Sequence, residues 1–333
     1  MEYRTLGQTG LMVSAVGCGT WEIGGREWGA ISDAAALHVL QHAAERGVTF
    51  FDTADQYGGG RSETLLGQAF GSRPDIVIAT KGGAPIDSDG WLGSRGTKPV
   101  FNASKEYLPQ AVEGSLRRLR RDAIDVWQLH TIPLPEHWDE AFETLERLRE
   151  QGKICHFGVS VNVPNGLRVL NETGAETIMV PYNLLEPQPA RALLPLAQER
   201  GVGVIVRTPL ASGFLAGRFT AETTFPFGDH RSVWPRERIA RDAARAGELK
   251  FLARRGRTLA QAAIRFPLTN AAVSAVVVGV MAQSEVDAAV DALSAPPLTP
   301  EELDRLRARW QHWQAAAAAG DEAAASVAAA AAR

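Results

Sequence analysis

Residues 124–160 read IDVWQLHTIPLPEHWDEAFETLERLREQGKICHFGVS, a strand pattern, a helix pattern and a second strand pattern in succession. The runs 124–130 and 155–160 are short and apolar, whereas 138–151 is amphipathic with a helical period. The helix pattern stops at Gly152, and glycine is the residue that most often ends a helix. Apolar strands joined through a helix predict parallel pairing in a sheet that is buried on both faces.

The same alternation extends along most of the chain. We predict eight strands, at residues 16–20, 49–53, 76–81, 124–130, 155–160, 177–180, 203–207 and 275–278. Helix patterns between them include residues 33–46, 108–120, 138–151 and 190–200. Eight such units predict an α/β fold of the (β/α)8 TIM barrel type, which suits this length better than a doubly wound sheet. A Gly-x-Gly-x-x-Gly run after the first strand would favour the doubly wound sheet, and the sequence has none there.

The barrel is predicted as a single domain over residues 1–314, followed by an Ala-rich C-terminal tail at 315–333. The turn signal Gln8-Thr9-Gly10 predicts an N-terminal β-hairpin across the bottom of the barrel. Long loops at residues 82–104 and 211–238 follow the third and seventh strands. Loops after barrel strands lie on the catalytic face, so both loops are expected there.

Charge and composition exclude several classes of protein. The 35 basic and 38 acidic side chains give a formal net charge of -3, which argues against a basic nucleic-acid-binding surface. Hydrophobic residues make up 45% of the chain and charged residues 22%, as in packed globular proteins. No apolar run reaches the roughly 18 residues of a membrane span, and no signal-peptide pattern opens the chain. We therefore expect a soluble cytoplasmic protein that binds neither membrane nor nucleic acid.

The two cysteines, Cys18 and Cys155, each lie in an apolar strand pattern. In a reducing cytoplasm, two buried free thiols are expected in preference to a disulfide.

Four side chains with proton-transfer chemistry fall at the ends of neighbouring predicted strands. Asp52 and Tyr57 follow the second strand, Lys81 ends the third and His130 ends the fourth. A free phenol has a pKa of about 10, and a nearby ammonium group lowers it by favouring the phenolate. A carboxylate beside the lysine would keep that ammonium charged, and the imidazole could share the proton or bind the substrate oxygen.

These residues lie in runs that resemble, in order along the chain, the signatures of the aldo-keto reductases. The runs are FDTADQYG (51–58), SETLLG (62–67), IATK (78–81), LRRL (116–119), DVWQLH (125–130), GKI (152–154), GVS (158–160) and TPLASGFLAG (208–217). The resemblance covers residues 3–293 and implies an NAD(P)H-dependent oxidoreductase. It makes Asp52, Tyr57, Lys81 and His130 the catalytic tetrad. Tyr57 would then protonate the carbonyl oxygen of an aldehyde, ketone or sugar while the nicotinamide delivers hydride to the carbon.

The resemblance also implies where a nicotinamide dinucleotide binds. Ser160 would hold the carboxamide, the usual Asn partner is displaced by one residue to Asn162, and Met179 stands where the family has Gln. Arg207 replaces the aromatic residue under the nicotinamide and could stack as a planar guanidinium, or form a salt bridge at the barrel rim. The other expected contacts are Gly19, Thr20, Trp21, Thr208, Pro209, Leu210, Ser212, Gly213, Leu215, Gly217, Gly279, Met281 and Glu285.

The segment after the eighth strand bears on the choice between NADP(H) and NAD(H). Met281 and Glu285 stand where relatives that prefer NADPH carry basic residues for the 2′-phosphate, which locally favours NADH. The family habit favours NADPH, and Arg231, Arg236 or Arg238 of the seventh loop could supply the missing charge. Both cofactors stay open, and no metal is expected.

A small-molecule carbonyl or alcohol is the expected partner, and the oligomeric state stays open. Trp21 and Trp91 are expected to wall the substrate pocket beside Tyr57 and His130, whereas Trp28 is expected to serve packing. Two alternative functions remain. One is a sugar or alcohol dehydrogenase that works in the oxidative direction. The other is a cofactor-binding regulatory subunit with little turnover, like relatives that attach to ion channels.

Overall fold

The N-terminus forms the predicted hairpin. The computed structural model describes residues 1–25, 28–84 and 101–331 of the chain. Strands β1 (Tyr3–Thr5) and β2 (Met12–Ser14) pair antiparallel. Leu6 and Val13 are fully buried and pack into the apolar cluster inside the barrel. The hairpin therefore closes the bottom of the barrel.

Eight parallel strands form a closed barrel, which confirms the predicted fold class. They are β3 (Val16–Gly19), β4 (Phe50–Asp52), β5 (Val77–Gly82), β6 (Ile124–Leu129), β7 (Ile154–Ser160), β8 (Thr177–Pro181), β9 (Gly203–Arg207) and β10 (Val273–Gly279). Each strand pairs with its neighbours in sequence order, and β10 closes the barrel by pairing with both β9 and β3. The strands are almost entirely buried, as expected for a parallel sheet covered by helices.

Helices surround the barrel. They are α1 (Trp21–Gly24), α2 (Asp33–Glu45), α3 (Arg61–Phe70), α4 (Tyr107–Leu119), α5 (Trp138–Glu150), α6 (Val163–Glu172), α7 (Leu193–Glu199), α8 (Arg236–Glu248), α9 (Leu259–Leu268), α10 (Gln283–Asp291) and α11 (Pro300–Ala331). Several begin at side-chain caps, such as Ser32, which accepts a 3.2 Å hydrogen bond from the Ala35 N–H. None of the helices described for this chain combines the length and apolar content that a membrane crossing needs.

Two local expectations need correction. The helix expected at 190–200 starts only at Leu193, after a 3-10 turn at Gln188–Arg191, because the ring of Pro195 would clash with the carbonyl of residue 191 in a longer helix. Both cysteines are free as expected, but Cys155 is exposed. The continuous buried part of β7 begins only at Phe157, so Cys155 lies outside the core.

The last helix packs on the barrel over its first part. Trp310 donates a 2.8 Å hydrogen bond to the Leu184 carbonyl, and Trp313 donates a 3.2 Å hydrogen bond to Glu248. Helix α11 continues past residue 314 to Ala331. These two tryptophans therefore tie the C-terminal helix to the body of the protein.

Gly67 provides a test of the packing between α3 and α4. A methyl group at this position would overlap the backbone carbonyl of Arg118, so Gly67→Ala should lower the free energy of unfolding by about 1–3 kcal/mol. Gly247→Ala in α8 is the matched control, because nothing lies within 4 Å of its added methyl group. That change should raise stability by about 0.5–1 kcal/mol. Urea denaturation measures both, and equal stability of the two variants would contradict the packing described here.

Candidate active site

The four predicted proton-transfer residues converge at the carboxyl end of the barrel. Asp52 is the last residue of β4, Lys81 lies in β5, and His130 directly follows β6, whose backbone pairing it extends through a hydrogen bond to Gly82. Tyr57 lies in the turn between β4 and α3. All four line one cavity of about 690 Å³, a volume within the range of small-molecule and cofactor sites.

Lys81 and Asp52 form a buried ion pair. The Lys81 Nζ donates to both Asp52 carboxylate oxygens, at 2.7 and 2.9 Å, and to the Thr53 carbonyl at 2.7 Å. Their side chains are only 2% and 5% exposed. Burial lowers the pKa of Lys81 and raises that of Asp52, while the attraction between the two charges limits both shifts. The ammonium therefore has a fixed position.

The Tyr57 ring lies close to both this ammonium and the imidazole of His130. The Lys81 Nζ is 4.9 Å from the centre of the Tyr57 ring, and the Tyr57 and His130 rings are 5.8 Å apart at 76°. The Trp21 and Tyr57 rings are stacked, with their centres 6.0 Å apart. Burial and the positive charges of Lys81 and Arg207 hold the pKa of His130 well below its usual range. The imidazole is therefore neutral near pH 7.

Arg207 supplies a second buried cation. It ends β9 and lines the cavity, and burial lowers the pKa of its guanidinium while Glu186, Tyr57 and Asp52 raise it. Among the described residues, no acceptor lies within hydrogen-bonding distance of its Nε atom. A buried donor without an acceptor is costly, so this N–H group indicates a ligand position.

The loop after β9 has an unusual backbone. Thr208, Ala211, Ser212 and Gly213 all have positive φ, at 54°, 47°, 53° and 92°. Such values are strained for residues other than glycine, and strain of this kind clusters at ligand-binding loops. Contacts hold the conformation, since Asn183 donates a 3.0 Å hydrogen bond to the Thr208 carbonyl. Turns of this kind expose backbone N–H groups that can bind anions.

Most of the expected cofactor contacts line the same cavity. They are Gly19, Thr20, Trp21, Ser160, Asn162, Met179, Arg207, Thr208, Pro209, Leu210, Ser212, Gly213, Gly279, Met281 and Glu285. Leu215 is instead fully buried in the core, because its side chain points inward from the 3-10 turn Ala211–Ala216. Gly217 ends that turn exposed to solvent and does not line the cavity. Trp91 lies outside the described residues.

Comparisons with known proteins identify the family of the chain. The model of the Aldo/keto reductase family matches residues 15–311. The chain belongs to this family. It is 32% identical to aldo-keto reductase YhdN of Bacillus subtilis over 247 residues, and the aligned region covers 71% of this chain and 70% of YhdN. It is 29% identical to a probable voltage-gated potassium channel subunit beta of Oryza sativa subsp. japonica, over 92% and 96% of the two chains. The solved glycerol dehydrogenase AKR11B4 of Gluconobacter oxydans has a TM-score of 0.78 and 30% identity, over 92% and 94%.

Two of the expected contact residues, Asn162 and Glu285, also make hydrogen bonds within the protein. Asn162 caps α6 by accepting a 3.2 Å hydrogen bond from the Asn165 N–H. Glu285 accepts a 2.7 Å hydrogen bond from the Met281 N–H at the start of α10. Both side chains are therefore held in place without a ligand.

Sequence reasoning missed several residues that line the cavity, among them Glu22, Trp28 and Arg218. Trp28 was expected to serve packing. It packs against the His230 ring, with the ring centres 4.3 Å apart, and it also lines the cavity. Arg218 directly follows the loop run 208–217. Its position beside this glycine-rich loop could have predicted that it lies near the cavity. Within the described part of the chain, no group of three or more potential ligands forms a metal site.

The buried ion pair can be tested by a double-mutant cycle. Asp52→Asn leaves the Lys81 ammonium without its counter-charge, and removing one partner of a buried pair costs about 3–5 kcal/mol. Lys81→Met should cost a comparable amount, and the double variant should lose clearly less than the sum of the two. Urea denaturation of all four proteins gives the coupling energy. Additive losses would show that the two groups do not interact.

Proposed function

We propose that this aldo-keto reductase reduces an aldehyde, ketone or sugar carbonyl with NADH or NADPH, and that Tyr57 is the general acid. The observation that carries the proposal is the Lys81 ammonium, fixed by Asp52 and lying 4.9 Å from the Tyr57 ring. A cation at this distance favours the phenolate and so makes the phenol a better proton donor.

The residues present fit a nicotinamide dinucleotide. Arg207 offers a buried N–H donor and a planar guanidinium, and Ser160 lines the cavity nearby. The loop after β9 would bind the pyrophosphate through backbone N–H groups, for which its positive φ values are suited. Arg218 adds a positive side chain at the cavity wall.

The proposed mechanism divides the work between cofactor and protein. The bound nicotinamide supplies the hydride. Tyr57 donates its proton to the substrate oxygen, and the Lys81 charge stabilises the phenolate that results. Asp52 keeps Lys81 charged and in place. His130, neutral because its pKa is held low, can donate a hydrogen bond to the substrate oxygen without adding charge.

The same residues serve oxidation, because each proton transfer is reversible. The similarity to a glycerol dehydrogenase therefore supports a sugar or alcohol dehydrogenase as the first alternative. The similarity to a potassium channel beta subunit supports the second, a cofactor-binding subunit with little turnover. The complete tetrad favours catalysis. Multiple turnovers of cofactor with a panel of aldehydes, diketones, sugars and alcohols, assayed in both directions, would separate these functions.

Tyr57→Phe tests the role of the general acid. The variant should lose about 10²–10⁴ in kcat, because the phenol is the proposed proton donor, and should keep its affinity for NADH or NADPH. Steady-state kinetics measures the first, and quenching of tryptophan fluorescence measures the second. If the variant keeps more than about a tenth of the activity, Tyr57 is not the acid.

Cofactor preference follows from the charges near α10. Met281 and Glu285 line the cavity and offer a 2′-phosphate no cation, whereas Arg231 is already paired with Asp229 at 2.6 Å. We therefore expect less than about a tenfold difference in kcat/KM between NADH and NADPH, or about 1.4 kcal/mol. A preference for NADPH of about a hundredfold or more would contradict this and implicate the arginines.

Glu285 variants locate the 2′ position. Glu285→Arg should improve kcat/KM for NADPH, because it places a cation where the 2′-phosphate is expected. Glu285→Gln is the matched control, since it also removes the carboxylate but adds no charge. Equal effects of the two changes, or none, would place the adenosine end elsewhere.

A further inference from the structure

Glu22 places an ionisable group at the seam where the barrel closes. It lies in α1, directly after β3, and lines the cavity. A methyl group on Gly279 would overlap the Glu22 carboxyl group, so this group lies against the last residue of β10. Strands β3 and β10 pair at this point, with Gly19 opposite Gly279. The cavity is therefore bounded here by a carboxyl group.

Acidic groups surround Glu22 from several elements. Glu285 acts on it from α10 and Asp52 from β4, and the Cys18 thiol lies close in β3. Arg231, from the loop after β9, is the cation that acts on it, and Asp229 already binds this guanidinium. Burial raises the pKa of Glu22 to about 8, and the negative charge of Glu285 contributes in the same direction. The carboxyl group is therefore largely protonated at neutral pH.

We propose that Glu22 is a binding residue of the dinucleotide cleft, and that an anionic dinucleotide binds the form in which the Glu22 carboxyl carries a proton. The proposal rests on the proposed function, since it needs NADH or NADPH in this cavity. An ionised Glu22 would place a further carboxylate beside Glu285 and Asp52 in the cavity that would hold the anionic dinucleotide. A protonated Glu22 removes that repulsion and offers an O–H donor.

The direction of the pH dependence follows from linkage. At pH values below its pKa of about 8, Glu22 already holds its proton in the free protein. The affinity for the dinucleotide should therefore be independent of pH in that range. Above that value the free protein loses the proton and must take it up again on binding. Affinity should then fall by up to about tenfold for each pH unit.

Proton uptake measures this directly. The full-length chain is titrated calorimetrically with NADH in two buffers of different ionisation enthalpy. NADH is used because it lacks the 2′-phosphate of NADPH. That phosphate has a pKa of about 6, and its own ionisation would add to the measured proton uptake. The wild-type protein should take up clearly more protons per bound NADH at a pH of about 8.5 than at a pH of about 7. Glu22→Gln, which keeps the shape of the side chain, should take up none at either pH.

Glu285→Gln is the control. It removes a neighbouring negative charge, so it should keep the proton uptake and move its midpoint to lower pH. NADH binding by the wild-type protein without extra proton uptake at the higher pH would overturn the proposal, whether or not the variants fold. Uptake by Glu22→Gln equal to that of the wild type would also overturn it. Failure of the wild-type protein to bind either NADH or NADPH would contradict the proposed function itself, and this proposal with it.

Discussion

The ion pair between Lys81 and Asp52 is the interaction on which the catalytic end of the barrel depends. Asp52 pairs with Ala79 across β4 and β5, and Lys81 lies two residues further on, so both side chains point into the barrel. Burying an ammonium group is costly unless acceptors surround it, and the Asp52 carboxylate and Thr53 carbonyl provide them. The parallel pairing of β4 with β5 and of β5 with β6 brings this pair, Tyr57 and the end of β6 to one place, so strand pairing positions the groups of the proposed proton chemistry.

The fold was predictable because parallel strands covered by helices are almost continuously apolar. Such runs marked all eight barrel strands to within a few residues, as for β5 and β9. The misplaced start of α7 shows the limit of the method. Helical periodicity extends through residues 190–192, but Pro195 excludes the earlier turn from the helix. Periodicity describes which face is apolar, whereas a single proline decides where the backbone can be helical.

The candidate site was predictable where strands position it and less so where loops do. The strands fix the directions of the Asp52 and Lys81 side chains. The positions of these residues in the predicted strands were therefore enough to predict that they lie close together. In the loop after β9, side-chain directions depend on the positive φ values of Ala211 and Ser212. Alanine and serine do not usually adopt such values, so the sequence gives no indication of them. For that reason Leu215 was expected at the ligand but lies in the core. Glu22, in α1 directly after β3, was overlooked.

Two unfavourable features of the free protein lie at the same place. The Nε atom of Arg207 is buried without an acceptor among the described residues, and three non-glycine residues of the adjoining loop hold positive φ values. Each costs free energy in the absence of a ligand. A ligand that accepts a hydrogen bond from Arg207 would remove the first of these costs. Because a ligand that binds only the folded state stabilises it, a ligand at this cavity would stabilise the protein at the point where its fold carries these two costs.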